Sequence, residues 1–290
     1  MQNQTNYEKR GYLYGDFRLF HLKDSSMERI NWHFHDFHKM ILFLSGHAAY
    51  CVEGKHYNLL PGDIVLVPQG CIHRPEIEEK LPYERIVLYL SPEYLSRLSS
   101  SDCDLQQCFR QAQEQYRYVL RPKDRFDTYA RLFAALEQAV EDQEFGAELL
   151  RSSIFSQLLI AVNRDSMQGK LLYLEAAGCD EKIVAILQYL NVHLSQPISI
   201  DSLAQQFYLS KYHMMRRFRN ETGFTIHNYL TEKRLQLAKQ ELSAGQPAQN
   251  VCIHCGFQDY SAFSRAFKKR YGISPGAVKR NIVPESSGIV

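Results

Sequence analysis

The pattern of apolar and polar positions divides the chain into a β-rich part and a helical part. Between residues 12 and 90, short stretches rich in β-branched and aromatic residues alternate with turn residues such as Ser45-Gly46 and Pro61-Gly62. Regular short strands separated by such turns predict a β-barrel of the jelly-roll kind. We predict strands at residues 12–22, 40–44, 48–52, 63–67 and 85–90.

Apolar residues then recur at helical spacing. One helix is predicted over 126–140, and a second over 147–163. The second helix is apolar over a wide arc, so one side can pack on the first helix while the rest seeks another partner. The remaining apolar surface of this helix either completes the core or forms a dimer interface, and the pattern leaves both open. The periodicity weakens in residues 164–180, which contain two glycines and mark a domain boundary.

The last hundred residues repeat one helical plan twice. In the first copy, Ser199 is a candidate N-cap of a short helix and Ser210 of a basic helix over 211–221. A spacer helix follows over 226–243, and then a short helix over 248–255 precedes a second basic helix over 260–271. A short helix, a tight turn and a cationic second helix predict a helix-turn-helix unit, whose second helix fits the major groove of DNA.

Composition and charge support this division. The chain of 290 residues is long enough for two domains, and its 45% hydrophobic and 23% charged residues are ordinary for a globular protein. The net charge of +2 hides an asymmetry: residues 180–283 hold twice as many Lys and Arg as Asp and Glu, whereas residues 1–179 are acidic overall. We therefore expect a polyanionic partner for the second domain.

Other features bear on location and on metal chemistry. No apolar run is long enough for a membrane span, the first residues lack the apolar core of a signal peptide, and the seven cysteines are irregularly spaced. We expect a cytoplasmic protein with reduced thiols and no membrane partner. Cys252 and Cys255 form a small cluster that suggests either zinc or, more simply, two buried thiols.

The two helical copies contain a set of residues with characteristic spacing. They are Leu203-Ala204, Ser210, Phe218, Glu221-Thr222-Gly223, Tyr229-Leu230, Arg234, Ala238, Gly256-Phe257, Phe263-Ser264-Arg265, Phe267-Lys268 and Gly272-Ile273-Ser274-Pro275. In these residues the C-terminal part resembles, over about 100 residues, the DNA-binding domain of the AraC/XylS family of transcription regulators. In that family the spacer helix sets two recognition helices into successive major grooves.

The resemblance implies which side chains read DNA. The guanidinium groups of Arg216 and Arg265 suit bidentate contacts to guanine, and Met215 either meets a thymine methyl group or packs. The remaining basic residues, among them Arg270, are interpreted as phosphate or surface charges. The side chains expected at base edges are Tyr212, Met215, Arg216, Tyr260, Ser261, Ser264 and Arg265.

The N-terminal part contains two histidine motifs: His33-Phe34-His35 at a strand start, and the stretch from Gly62 through Pro68 to His73. In these motifs it resembles the cupin barrel, which is the sensor domain of many AraC-type regulators. In metal-binding cupins the three histidines would be ligands, but Lys39 stands where a carboxylate ligand belongs. We therefore expect no cofactor, and we expect an effector pocket lined by His33, His35, His73, Trp32 and Tyr50. Two alternatives stay open: the three histidines bind a metal ion, or they have a purely structural role.

Together these interpretations predict an α+β multidomain protein that is a regulator and not an enzyme. Its domains would be a cupin-like barrel over 1–95, a helical dimerisation segment over 96–166, a linker over 167–180 and a tandem helix-turn-helix domain over 181–283. The expected partners are promoter DNA, a small-molecule effector such as a sugar, RNA polymerase and a second copy of the chain. We expect activation, although nothing in the residues separates it from repression.

Two other functions stay open. The first is a metal-dependent cupin enzyme with an appended DNA-binding domain, which a stoichiometric metal would favour. The second is a constitutive DNA-binding protein whose barrel only dimerises.

Overall fold

The computed structural model describes residues 13, 15–24, 30–77, 82–124 and 126–278. The chain divides into two compact units, residues 1–180 and 181–290. Residues 12 and 14 of the predicted first strand and residues 279–283 of the predicted DNA-binding domain lie outside the described residues. No helix in the described ranges combines the length and the apolar character needed to cross a membrane.

The first unit is built on two antiparallel sheets that share one hydrophobic core. Among the described residues its strands are β1 (Phe17–Asp24), β2 (His38–Ser45), β3 (Ala48–Val52), β4 (Lys55–Asn58), β5 (Ile64–Val67), β6 (His73–Ile77), β7 (Tyr83–Leu90), β8 (Val119–Pro122), β9 (Leu171–Tyr173) and β10 (Gly178–Cys179). The larger sheet has the order β1-β7-β2-β5-β8-β9 and the smaller one β10-β4-β3-β6. This is the predicted β-rich barrel.

Several strands differ from the expectation. His33 and His35 precede a strand rather than begin one: β2 starts at His38, and His33 forms an isolated bridge to His73. The predicted linker, 167–180, contains β9 and β10, which pair with β8 and β4. Strands of two to four residues carry too little pattern to be recognised alone, because their β conformation depends on the neighbouring strand that supplies their hydrogen bonds.

Helices cover the larger sheet. They are α1 (Pro92–Leu98), α2 (Gln107–Gln115), α3 (Phe126–Glu141) and α4 (Ala147–Met167) among the described residues. The apolar face of α3 buries Tyr129, Phe133 and Leu136. Phe155 and Leu158 of α4 are buried in the same core, so part of the wide apolar arc is ordinary packing.

The second unit is helical, as predicted. It contains α5 (Glu181–Val192), α6 (Ile200–Gln206), α7 (Lys211–Thr222), α8 (Ile226–Ser243), α9 (Ala248–His254) and α10 (Tyr260–Tyr271). The predicted N-caps are confirmed: the side chains of Ser199, Ser210 and Asp259 each accept a hydrogen bond from a backbone N–H in the first turn of the helix that follows. Gly223 and Gly272 end α7 and α10 in the left-handed conformation.

Candidate DNA-binding surface and effector site

The first candidate recognition helix, α7, has one buried face and one basic exposed face. Met214, Phe218 and Thr222 lie at spacings of four residues and are buried, which anchors the helix in its unit. The face turned to solvent carries the predicted base-reading residues Tyr212, Met215 and Arg216, and Tyr212 is 72% exposed. The Arg216 guanidinium lies over the Tyr212 ring, 5.8 Å from its centroid.

The second candidate recognition helix, α10, repeats this arrangement. Phe263 and Phe267 are fully buried among the aromatic and aliphatic residues of α8 and α9. Of the predicted base-reading residues, Tyr260, Ser261 and Arg265 are exposed, whereas Ser264 is half-buried. The structure therefore leaves these side chains on accessible helix faces, and their contacts with bases stay a prediction.

Arg234 of the spacer helix α8 joins the two helix-turn-helix units. Its Nε and Nη2 groups donate to the backbone carbonyls of Leu194 and Gln196, at 2.8 and 2.7 Å, in the loop after α5. Gly256, in the turn of the second unit, has φ +81°, and a Cβ there would lie 2.5 Å from the Leu194 carbonyl oxygen. This close approach requires glycine at position 256. It holds the turn of the second helix-turn-helix unit against the first helix-turn-helix unit. Arg234 and Gly256 are both among the residues that carry the sequence resemblance, but the sequence did not indicate that they join the two helix-turn-helix units.

Arg270, interpreted from the sequence as a phosphate or surface charge, has a structural role instead. The Arg270 Nε group donates to Glu232 of α8 at 2.8 Å, and its side chain is only 10% exposed. A cation held in this way ties α10 to the spacer helix and is not available to DNA. Lys268 and Lys269, the two preceding residues, are exposed.

The cysteine cluster of α9 has the properties of buried thiols. Cys252 and Cys255 are buried, and burial raises the pKa of the Cys255 thiol to about 12. The Cys252 thiol donates to the carbonyl of Phe257 at 3.8 Å. A zinc ligand must be a thiolate, so this environment favours the interpretation as core residues.

The candidate effector site lies inside the barrel, where three histidines converge. His33, His35 and His73 are buried, and their ring centroids are 4.3 to 5.1 Å apart. Reciprocal backbone hydrogen bonds between His33 and His73 hold the first pair together. The sequence motifs thus identified residues that the fold brings to one place.

Two of these imidazoles have a defined tautomer. The Nδ1 atom of His33 lies 2.8 Å from the carbonyl of Asn31, and that of His73 lies 2.9 Å from the carbonyl of Cys71. Because a carbonyl only accepts, each Nδ1 carries a proton. Burial, reinforced by His33, Lys39 and His35, holds the pKa of His73 well below its usual range. The His73 ring is therefore a neutral acceptor.

Lys39 and Tyr50 face the same interior. The Lys39 ammonium lies 5.9 Å from the centroid of the Tyr50 ring and 6.0 Å from that of Tyr89. Burial, together with the nearby Arg85, lowers the pKa of Lys39 to about 7. Alternation along β7 places Tyr89 and Arg85 on the same face of the strand. The alternating pattern of this segment could therefore have indicated that both side chains belong to this site.

Three side chains in this interior offer ligands to a metal ion, and a neighbouring lysine opposes one, so the absence of a metal stays a prediction. One nitrogen from each histidine can be chosen so that all three lie within 4.8 Å of one another, which provides three ligands. However, the positive charge of Lys39 already acts against a proton on His73. The same field opposes a divalent cation more strongly, and Lys39 occupies the place of the carboxylate that would offset it.

Trp32 lies apart from the interior cluster. It is exposed to solvent in part, and the Arg74 guanidinium lies over its ring at 4.5 Å. Arg74 and His73 are neighbours in β6, so their side chains point to opposite faces of the sheet. Trp32 therefore packs on the outer face of the barrel, and its role in binding an effector stays a prediction.

The N-terminal end of α4 presents an apolar surface to solvent. Leu149 is 74% exposed and Leu150 is 48% exposed, and the preceding Phe145 is also fully exposed. Leu149 and Leu150 are the part of the wide apolar arc that the core does not absorb. We call Phe145, Leu149 and Leu150 the α4 patch.

Comparisons with known proteins agree with both halves of this description. A family model described as an AraC-like ligand binding domain matches residues 19–159, and one described as a helix-turn-helix domain matches residues 203–281. The HTH-type transcriptional activator RhaS of Escherichia coli strain SMS-3-5 is 27% identical over 251 residues, which cover 86% of this chain and 87% of RhaS.

Solved structures are also similar to parts of the chain. The C-terminal domain of AraT, a response regulator from Geobacillus stearothermophilus, is 26% identical, with a TM-score of 0.35, and the match covers 38% of this chain and 93% of that one. ToxT from Vibrio cholerae is 13% identical, with a TM-score of 0.35, and the match covers 90% of this chain and 97% of that one.

Proposed function

This chain belongs to the AraC family of transcription regulators, and we propose that a small molecule bound inside its barrel controls how its two recognition helices bind promoter DNA. The chain combines a ligand-binding domain with a DNA-binding domain. A ligand shifts such a protein only as far as it binds one arrangement more tightly than another. The effector must therefore bind differently to the DNA-competent and the DNA-incompetent state.

The observation that carries the proposal is the pair of anchored recognition helices. α7 and α10 each bury an apolar face, begin at a side-chain N-cap and expose an arginine near the middle of the helix. Contacts of Arg234 and Gly256 keep the two helix-turn-helix units in register. Rigid spacing matters because successive major grooves on one face of DNA are about 34 Å apart.

We propose Tyr212, Met215 and Arg216 of α7 and Tyr260, Ser261, Ser264 and Arg265 of α10 as the residues at base edges. Arg216 and Arg265 supply most of the discrimination, because a guanidinium group forms two parallel hydrogen bonds to guanine. Exposed lysines such as Lys269 neutralise phosphates and fix the register without reading the sequence.

The test is a comparison of two matched variants on the operator. The operator is first isolated from random duplexes with the full chain, and affinity is then measured by fluorescence anisotropy. We expect Arg265→Ala to lose about 1–3 kcal/mol of binding free energy on the operator and to relax one base position. Lys269→Ala should weaken binding to every duplex by a similar factor. Unchanged affinity of Arg265→Ala for the operator would remove this residue from the set that reads bases.

We propose that the barrel is a sensor and not an enzyme. Support comes from its interior, where His33, His35, His73 and Tyr50 offer hydrogen-bonding groups next to a lysine that disfavours a catalytic metal. Imidazole and hydroxyl groups suit a sugar or another hydroxylated metabolite. A change in operator affinity on adding such a compound supports this assignment.

Assembly and partners complete the proposal. We propose that the chain forms a homodimer through the α4 patch, since exposed apolar side chains of this kind are typical of interaction surfaces. We also propose that the protein works in the cytoplasm, where promoter DNA is found, and that it activates transcription through RNA polymerase. The similarity to an activator supports the last point.

A further inference from the structure

Lys39 is a buried lysine without a counter-charge inside the barrel. Its side chain is 9% exposed and belongs to β2, opposite Tyr89 of β7 in the strand register. Within the described residues, no carboxylate lies at ion-pair distance from its ammonium group, which lies about 6 Å from the centroids of the Tyr50 and Tyr89 rings. Burying an unpaired ammonium ion is strongly unfavourable, so a buried lysine either loses its proton readily or is given a counter-charge.

The polar atoms around Lys39 complete a recognition pattern. In the described part of the chain, the Tyr50 hydroxyl and the His73 Nε2 atom have no hydrogen-bond partner although both are fully buried. The hydroxyl can donate, whereas Nε2 can only accept, because the His73 proton is on Nδ1. The interior therefore presents one amine that a bound anion would keep protonated, one O–H donor and one acceptor.

Arg85 is another cation near this interior, and it does not need the same partner. Its guanidinium forms an ion pair with Asp24 and a hydrogen bond to the carbonyl of Tyr83 at 3.1 Å. The negative charge of Asp24 is thus already matched. The charge left unmatched is that of Lys39.

We propose that the effector is a hydroxylated carboxylate, such as a sugar acid, whose carboxylate pairs with Lys39. The Tyr50 hydroxyl donates a second hydrogen bond to that carboxylate, and an effector hydroxyl donates to His73 Nε2. In metal-binding cupins the corresponding site holds a metal cation. In this chain Lys39 makes the site suit an anion instead. This inference rests on the proposed function, in which the barrel binds the effector.

The experiment compares matched acids and neutral sugars on the full-length protein. Thermal shift and titration calorimetry are run with D-galacturonate, D-glucuronate and D-gluconate, with lactate and pyruvate as smaller carboxylates, and with D-galactose and D-glucose as neutral partners. The variants are Lys39→Met, Lys39→Arg and a control, Lys23→Met. Lys23 is on the same barrel, and its side chain is 67% exposed.

We expect at least one carboxylate to bind, and its neutral partner to bind more weakly. Lys39→Met should weaken that binding by roughly 30-fold or more, because a buried charge loses its partner. Lys39→Arg should recover part of the affinity, and Lys23→Met should leave it unchanged. Three results would each overturn the inference: no carboxylate binds, neutral sugars bind as tightly as their acids, or the purified protein holds a stoichiometric transition metal.

Failure of this inference is distinguishable from failure of the proposed function. If a neutral compound binds and changes operator affinity, the barrel is a sensor but Lys39 does not select an anion. If a carboxylate binds through Lys39 and operator affinity stays the same, the site is correct and the regulatory role is wrong.

Discussion

Replacing Lys39 by methionine is expected to stabilise the barrel, by an amount that depends on pH. The pKa of Lys39 falls from 10.5 to about 7 in the folded protein. One pKa unit corresponds to about 1.4 kcal/mol, so the buried charge opposes folding by about 5 kcal/mol well below pH 7 and by about 4 kcal/mol at pH 7. Methionine has a similar volume and no charge, so Lys39→Met removes this penalty without creating a large cavity.

The pH dependence has a defined sign. Because the folded pKa lies below the unfolded one, the unfolded chain binds more protons between about pH 7 and pH 10.5, and the stability of the wild type rises with pH there. At pH 9 the penalty is reduced to about 2 kcal/mol. The advantage of Lys39→Met should therefore shrink by about 2 kcal/mol between pH 7 and pH 9.

The groups around Lys39 do not obscure this difference. The pKa of His73 is held well below this range by burial and its neighbours. Burial raises the pKa values of Tyr50 and Tyr89 above the ordinary tyrosine value, so both stay neutral.

Urea unfolding of the full chain, followed by fluorescence, measures the effect. The chain has one tryptophan, Trp32, and it lies in the first unit, so the signal reports on the barrel. The reasoning is refuted if Lys39→Met is less stable than the wild type at pH 7, or if its advantage is the same at pH 7 and pH 9.

The remaining predictions concern the helical unit and the α4 patch. Gly256→Ala should cost about 1–3 kcal/mol in a thermal melt and weaken operator binding, because φ +81° is strained for alanine and its Cβ meets the Leu194 carbonyl; an unchanged melting temperature would contradict this. Phe263→Ala should cost about 3–5 kcal/mol by removing a fully buried ring, whereas Tyr260→Ala, at an exposed position, should leave stability unchanged and weaken operator binding. Leu149→Glu should shift the protein from dimer to monomer in light scattering, with an unchanged circular dichroism spectrum; a persistent dimer excludes the α4 patch.

Most of the helical unit was predictable from its sequence, because its signals are local. Ser210 and Asp259 are recognisable as caps since the groups they satisfy lie within the next turn of the same helix. The apolar spacing of Met214 and Phe218 equally identifies the buried face of α7 without knowledge of its partner. Arg270 was misassigned because a basic residue on an exposed-looking face carries no sign that Glu232 of another helix lies beside it.

The barrel was predictable only in outline. Alternating short strands and glycine turns indicated a β-rich domain, but β8 and β9 lie far apart in the chain and depend on pairing with each other. The histidine motif indicated which imidazoles belong together, whereas Trp32, next to His33, packs under Arg74 on the outer face.

Sequence by itself thus determined the class of this protein: two anchored helix-turn-helix units, their spacer, and a barrel with three histidines. Those features depend on residues close in the chain or on motifs with fixed spacing. Tertiary structure decided what cannot be local. Arg234 and Gly256 couple the two helix-turn-helix units, and Arg270 pairs with Glu232 inside the helical domain. Lys39 lies without a counter-charge beside the rings of Tyr50 and Tyr89. Burial and charge pairing are properties of side chains brought together from distant strands. In the sequence, Lys39 only disfavoured a metal ion, whereas its surroundings in the barrel make it a candidate anion-binding residue.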